Sequence, residues 1–268
     1  MGTYVQLPGV RTWYESEGAG DALLLLHGGL CTNDTWGPQR AAFAERYRVL
    51  LPERRGHGHT PDVDGPLSYL AMAEDTIDFI EAVVDGPAHL VGWSDGGIVA
   101  LLVALARPEL VRKVAVMGAN FLPGPESSAA PEMLDHLSPD APDMAMFRDM
   151  YEATSPDGPA HWPIVAGKVV DMIRTQPTIS TDDLGRIRAP TLVMVADDDL
   201  VTLEHTIALY RAVPDAELAV VPGTSHALPM EKPEQVNRLV LDHLGHDPVP
   251  TFFPVRRARS TAAGGAPS

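Results

Sequence analysis

The sequence predicts an α/β domain built around a mostly parallel β-sheet, and three observations point to this class. Apolar segments of strand length alternate with helical segments along the 268 residues, the order typical of a parallel sheet with helices on both faces. Segments such as "ALLLL" and "RVLLP" are almost wholly apolar, as in strands buried on both faces. The first two strands are joined too closely for a parallel crossover, so they predict an antiparallel edge.

The elements can be assigned in order along the chain. The predicted strands are residues 4–9, 11–16, 21–29, 48–53, 88–93, 111–119, 190–196 and 216–223. The predicted helices are residues 34–47, 67–84, 96–108, 203–213 and 232–244. In the segment 67–84 the apolar residues recur at helical spacing, whereas the Gly- and Pro-rich segment 54–66 is typical of a loop.

Residues 121–187 interrupt this alternation. They are rich in Pro, Met, Asp and Ser and contain several short helical patches. An insertion of this kind between two core strands is typical of a cap over a site. We therefore expect residues 1–120 and 188–246 to form the core and residues 121–187 a helical cap. Residues 247–268, which are Pro-rich, then basic, then small, predict a disordered tail.

Composition narrows the classes of partner. The formal net charge of −16 argues against binding to nucleic acid or to an anionic membrane surface. No apolar segment reaches the ~20 residues of a membrane span, and the N-terminal residues lack the pattern of a secretory signal. Cys31 is the one cysteine, so no intrachain disulfide forms and a cytoplasmic location is expected. Oligomeric state stays open, and a small-molecule substrate is the expected partner.

The segment "VGWSDGG", residues 91–97, places Ser94 between Gly92 and Gly96, after a predicted strand and before a predicted helix. In this context the pattern Gly-x-Ser-x-Gly is typical of a nucleophilic serine on a sharp turn. The other interpretation is a bend made of small residues. The turn would also bring the amide of Asp95 to the N-terminus of a helix, where an oxyanion is stabilised.

A nucleophilic serine needs a base, and the base needs an acid to orient it. His226 lies on a predicted loop between the last strand and the last helix. Three consecutive aspartates, 197–199, follow the preceding strand. The chain order serine, aspartate, histidine is the one expected for a sheet of this kind.

Taken together, the motifs "LLLLHGGL", "PERRGHGHTP", "LVGWSDGGIVAL", "LVMVADDD" and "VVPGTSHALPMEKP" resemble those of the α/β-hydrolases with a short helical cap. The resemblance extends to about residue 246. It implies a mostly parallel eight-stranded sheet with a triad at the carboxyl ends of the strands, and it requires no metal and no organic cofactor.

The resemblance also implies the roles of individual residues. Ser94 corresponds to the nucleophile and His226 to the general base. The acid of the family commonly follows a strand-ending glycine by three residues. Ala196 occupies the glycine position here, which favours Asp199 and leaves Asp198 as the alternative.

The same match implies an oxyanion hole made by the backbone amides of Gly29 and Asp95. His57 and His59 form a His-x-His pair without a further ligand at recognisable spacing, so we expect no metal site there. The other histidines outside the motifs are expected at the surface or in the cap, namely His89, His136, His161, His205, His243 and His246.

The function expected from these features is hydrolysis of a small to medium, mainly apolar carboxylic ester or lactone through an acyl-enzyme on Ser94. The same triad also serves carbon–carbon bond hydrolases, perhydrolases and cyanohydrin lyases. A different class is a receptor for a small ligand that retains the triad but turns over slowly.

Overall fold

The computed structural model describes residues 2–246 and 251–253 and, within the segment 121–187, leaves the side chains of residues 133–135 undescribed. Eight strands are present: β1 Thr3–Gln6, β2 Arg11–Glu17, β3 Ala22–Leu26, β4 Arg48–Pro52, β5 Ala88–Trp93, β6 Val111–Met117, β7 Thr191–Asp198 and β8 Ala216–Ser225. Apart from residues 251–253, the tail predicted to be disordered lies outside the described residues.

All eight strands belong to one sheet, with the order β1-β2-β4-β3-β5-β6-β7-β8. β1 pairs antiparallel with β2, and β2 pairs antiparallel with β4. The remaining neighbours pair in parallel. The predicted fold class, a mostly parallel sheet with an antiparallel N-terminal edge, is confirmed.

Ten α-helices accompany the sheet within the described residues: α1 Gly37–Ala44, α2 Tyr69–Val83, α3 Asp95–Ala106, α4 Pro131–His136, α5 Ala145–Thr154, α6 Trp162–Thr175, α7 Thr181–Leu184, α8 Leu203–Ala212, α9 Leu228–Glu231 and α10 Pro233–Gly245. None of these helices is long and apolar enough to cross a membrane. The predicted helix at 34–47 is split, because a 3₁₀ turn at Asn33–Trp36 precedes α1.

The sheet separates two apolar cores. Leu24 and Leu26 of β3 contribute to the core under α2, α3 and α8. Leu23 and Leu25 contribute to the opposite core under α1 and α10. Successive side chains of a strand point to opposite faces. The apolar sequence of β3 is therefore explained by burial on both faces.

The segment between β6 and β7 carries α4 to α7, and hydrogen bonds join its two ends to each other and its first part to the residues after β7. The amide of Ile179 donates to the carbonyl of Phe121 at 2.9 Å. Ser128 pairs with Val201 in an isolated antiparallel bridge. The division into a core and a cap stays a prediction.

His205 is buried in the core, so the expectation that it lies at the surface or in the cap is wrong. Its side chain is buried, stacks on Phe121 with ring centroids 4.0 Å apart, and accepts the Phe121 amide at 3.1 Å. His89 and His243 are likewise buried. Because an imidazole presents both an apolar ring and polar nitrogens, its place cannot be read from sequence spacing.

Candidate active site

Ser94 lies on a sharp turn between β5 and α3. Its φ and ψ are 55° and −123°, a conformation that an L-residue rarely adopts. A Cβ on Gly92 would lie 2.2 Å from the carbonyl oxygen of Gly96, and one on Gly96 would lie 1.9 Å from that of Leu26. Both flanking positions therefore require glycine, since the strand, the turn and β3 approach too closely for a side chain.

A chain of two hydrogen bonds connects Ser94 to an aspartate. His226, which follows β8, brings its Nε2 within 2.9 Å of Ser94 Oγ. Its Nδ1 lies 2.6 Å from Asp199 Oδ1. A carboxylate only accepts, so Nδ1 carries the proton and Nε2 is left to accept from the serine hydroxyl. The arrangement can activate the hydroxyl as a nucleophile.

Of the two aspartates that the sequence left open, Asp199 is the one in contact with His226. Its side chain is almost fully buried, with 1% exposed, and accepts the amides of Ala196 at 3.0 Å and Val201 at 3.1 Å. Asp198, the last residue of β7, is exposed. Asp197 has a separate role, because it accepts the amides of residues 223 and 224.

The environment of Asp199 favours its charged form. Burial raises the pKa of the Asp199 carboxyl, but the hydrogen bond and charge of His226, together with two backbone amides, outweigh burial and hold that pKa below its usual value. An ionised carboxylate at this position can hold the imidazole in one tautomer and stabilise its protonated form.

Two residues that were not predicted as site residues position His226. The indole Nε1 of Trp93 donates to the carbonyl of His226 at 2.7 Å. Gly118, directly after β6, has a φ of +57°, and a Cβ there would lie 2.9 Å from both Cε1 and Nδ1 of His226. The glycine therefore leaves the space in which the imidazole meets Asp199.

The loop after β3 lies against the start of α3. Residues 28–31 form a tight turn in which the amide of Cys31 donates to the carbonyl of Gly28 at 3.3 Å. Leu30 accordingly has a positive φ of 57°. Within the described part of the chain, the amides of Gly29 and Asp95 donate no hydrogen bond to a backbone carbonyl. These are the two amides that the resemblance implies as an oxyanion hole.

A group of polar side chains is buried behind this loop. Arg54 Nη2 donates to the carbonyl of Gly28 at 2.9 Å, and His27 Nδ1 lies 2.8 Å from the same oxygen. Tyr69 donates its hydroxyl to Asp95 Oδ1 at 2.8 Å. Burial raises the pKa of the Asp95 carboxyl, and the charge of Arg54 opposes that rise.

Arg54 and Tyr69 were not predicted as site residues. The one signal available for Arg54 is its position, an arginine that follows the apolar strand β4 within the motif "PERRGHGHTP".

The segment 121–187 contacts the loop between β4 and α2 through charged groups. Lys168 of α6 donates to Asp62 Oδ2 at 2.6 Å, and His161 Nε2 lies 2.8 Å from the same oxygen. A Cβ on Gly56 would lie 2.8 Å from Val165 Cγ2. The triad lies at the carboxyl ends of parallel strands, and the loop that Lys168 and His161 contact leaves the carboxyl end of the parallel strand β4.

Comparison with known proteins gives concordant findings. A model of the Alpha/beta hydrolase family matches residues 23–239. The chain is 31% identical over 252 residues to the serine hydrolase BPHL of Homo sapiens, with 90% of this chain and 85% of that protein covered.

Solved structures show the same fold. The enol-lactonase from Burkholderia xenovorans LB400 superposes with a TM-score of 0.75 at 21% identity, covering 91% of this chain and 100% of the other. The meta-cleavage product hydrolase CumD from Pseudomonas fluorescens IP01 gives a TM-score of 0.74 at 23% identity, with 91% and 97% covered.

Proposed function

The chain belongs to the alpha/beta hydrolase family and is a hydrolase, and from this premise we propose that it cleaves small to medium, mainly apolar carboxylic esters or lactones. The observation that carries the proposal is the hydrogen-bonded chain from Ser94 through His226 to Asp199, with distances of 2.9 and 2.6 Å.

The first half of the proposed reaction forms an acyl-enzyme. His226 Nε2 takes the proton of Ser94 as the serine oxygen attacks the carbonyl carbon of the substrate. The negative charge that develops on the carbonyl oxygen is stabilised by the amides of Gly29 and Asp95. His226 then gives the proton to the leaving alcohol, and the bond between the acyl carbon and that oxygen breaks.

The second half of the reaction releases the acid. His226 takes a proton from a water molecule, which attacks the acyl carbon through the same oxyanion site, and Ser94 regains its proton as the acyl group leaves. Asp199 stabilises the imidazolium that forms in each half. His226 carries every proton in the cycle. Apart from the substrate and one water molecule, the cycle uses only side chains and backbone amides of this chain.

The choice of an apolar substrate rests on the segment 121–187, which we propose as the cap. The side chains that this segment buries are mostly apolar, for example Met144, Trp162 and Val169. We propose that the surface which this segment turns towards the site is apolar as well, and such a surface favours acyl and alcohol groups without charge. We further propose a cytoplasmic location, because the chain has a single cysteine, which is buried.

The test is turnover of a series of p-nitrophenyl esters of increasing acyl length, with Ser94→Ala and His226→Ala as variants. We expect hydrolysis by the wild type and a loss of at least about 10⁴-fold in kcat in each variant. The preferred chain length then measures the acyl site.

Two other outcomes would overturn parts of the proposal. Labelling of Ser94 by a fluorophosphonate without turnover of any ester would replace ester hydrolysis by cleavage of another bond type or by a slow receptor. A folded wild type with neither turnover nor labelling would refute the nucleophilic role of Ser94 itself.

A further inference from the structure

Arg54 is a buried cation whose interactions face the active-site loop. The residue is 4% exposed. Its guanidinium Nη2 donates to the backbone carbonyl of Gly28 at 2.9 Å and lies 3.2 Å from His27 Nδ1, and none of its hydrogen-bond partners among the described residues is a carboxylate. Its Nε and Nη1 have no hydrogen-bond partner among the described residues. Burying an incompletely paired guanidinium costs stability, so fold stability alone does not account for this residue.

The carbonyl that Arg54 holds belongs to the peptide whose N–H is that of Gly29. A trans peptide is planar, and its C=O and N–H point in opposite directions. Fixing the direction of the Gly28 carbonyl therefore fixes the direction of the Gly29 N–H on the other side of the same plane. We propose that Arg54 is a positioning residue which aims and polarises the Gly29 amide of the oxyanion site, an inference that rests on the proposed function.

Two further donors meet the same carbonyl oxygen and agree with this role. His27 Nε2 accepts the backbone amide of Arg54 at 3.2 Å, which leaves the proton of the neutral ring on Nδ1. That Nδ1 lies 2.8 Å from the Gly28 carbonyl oxygen. The amide of Cys31 donates to the same oxygen at 3.3 Å. Among these donors the guanidinium is the charged one, and hydrogen bonds from charged donors are stronger than neutral ones.

The charge of Arg54 also compensates a nearby carboxylate. Asp95 is buried, and a Cβ on Gly29 would lie 2.5 Å from Asp95 Oδ2, so this carboxylate is in contact with the oxyanion loop. A negative charge at this position opposes the charge that develops on the substrate oxygen. The guanidinium interacts electrostatically with Asp95 and offsets that charge. Removing Arg54 therefore both loosens the Gly29 peptide and leaves the Asp95 charge uncompensated.

The experiment compares Arg54→Met and Arg54→Lys with Arg55→Met on the best p-nitrophenyl ester. Arg55 is a matched control, because it is the adjacent arginine and forms a two-bond ion pair with Asp75, at 2.6 and 2.7 Å. For Arg54→Met we expect kcat to fall about 10- to 100-fold with KM changed less than about threefold, since the amide is displaced rather than deleted. Arg54→Lys restores part of the loss, because lysine returns the charge without the planar fork. Arg55→Met lowers the melting temperature but keeps kcat.

A second readout separates positioning from general destabilisation. The inhibition constant of an alkyl boronic acid, which forms a tetrahedral adduct with an active serine, rises in parallel with the loss of kcat in Arg54→Met. If Arg54→Met does not fold, the double variant Arg54→Met/Asp95→Asn removes both buried charges. It is then compared with Asp95→Asn alone, and a smaller but clear loss of kcat is expected, because only the displacement of the Gly29 amide remains.

Wild-type kcat in a folded Arg54 variant overturns the inference, as does an equal loss of kcat in Arg55→Met or an effect confined to KM. Absence of ester turnover in the wild type refutes the proposed function instead. In that case the rate of fluorophosphonate labelling of Ser94 decides on Arg54, because the phosphonyl oxygen uses the same amides. Equal labelling rates in wild type and Arg54→Met, or no labelling of either, overturn the inference.

Discussion

Replacing Gly118 by alanine is expected to lower kcat about 10- to 100-fold in a protein that still folds. Gly118 follows β6 and has a φ of +57°. A Cβ at this position would lie 2.9 Å from both Cε1 and Nδ1 of His226 and 3.3 Å from Asp199 Oδ2. The new methyl group would therefore press on the imidazole from the side at which it meets its aspartate.

The size of the effect follows from these distances. Carbon atoms in contact settle at about 3.5–4.0 Å, so the imidazole must retreat by roughly 0.6–1 Å. A displacement of about 1 Å in an active site costs about 10²-fold in rate, and half of it about 10-fold. The backbone adds a separate cost in stability of about 1–2 kcal/mol, because alanine is disfavoured at positive φ.

Gly86→Ala is the matched control for this prediction. Gly86 also has a positive φ, of 107°, but a Cβ there meets nothing within 4 Å. It precedes β5, whereas Ser94 follows the other end of that strand. Gly86→Ala should therefore lose stability in thermal unfolding and keep wild-type kcat.

The assay is steady-state hydrolysis of the best p-nitrophenyl ester by both variants, together with their thermal unfolding curves. A Gly118→Ala enzyme with kcat within about twofold of wild type would show that the imidazole does not need the space that glycine leaves, contrary to the distance argument. Equal losses of kcat in Gly118→Ala and Gly86→Ala would also refute the role of this space, because backbone strain would then account for both losses.

Three further predictions concern single side chains. Asp199→Asn should lower kcat for the same ester about 10⁴-fold, because Asp199 orients the imidazole. Asp198→Asn should lower it less than about threefold, because Asp198 is exposed. Burial lowers the pKa of His205 to about 4. The unfolded chain, with a histidine pKa of about 6.5, thus binds the proton first, and stability falls as the pH drops from about 6.5 to about 4. Thermal unfolding at several pH values should show a smaller fall in His205→Gln, and an unchanged fall would contradict this assignment. Lys168→Met should lower the free energy of unfolding by about 1–3 kcal/mol, because Asp62 loses its lysine partner. The same variant should be cleaved faster by chymotrypsin within residues 121–187. Cleavage at the wild-type rate would argue against a role of Lys168 in holding this segment.

Much of the fold could be predicted because its signals are local. Strands buried on both faces have apolar sequences, as in β3, and the glycines around Ser94 follow from a close approach within a few residues of chain. The alternation of strands and helices also predicted that the serine, the aspartates and the histidine each lie at the end of a strand. These features depend on backbone geometry and on the period of the side chains, which sequence spacing expresses directly.

The choice between Asp198 and Asp199 needed the tertiary structure. The pairing of β7 with β8 shifts its register between Ala196 and Asp198. Asp199 then leaves the strand and turns back to accept the amide of Ala196. An irregularity of this kind depends on the neighbouring strand, which is far away in sequence, so three consecutive aspartates cannot be told apart by spacing.

The sequence by itself determined the class of fold, the turn that carries Ser94 and the loop that carries His226. Only the tertiary structure decided which aspartate meets the imidazole, and only it disclosed the buried Arg54 behind the oxyanion loop and the space beside Gly118. The physical reason is that arginine is expected at the surface, and that a glycine at a strand end is expected to serve the turn. Their places here are set by residues brought close by folding, the carbonyl of Gly28 and the ring of His226.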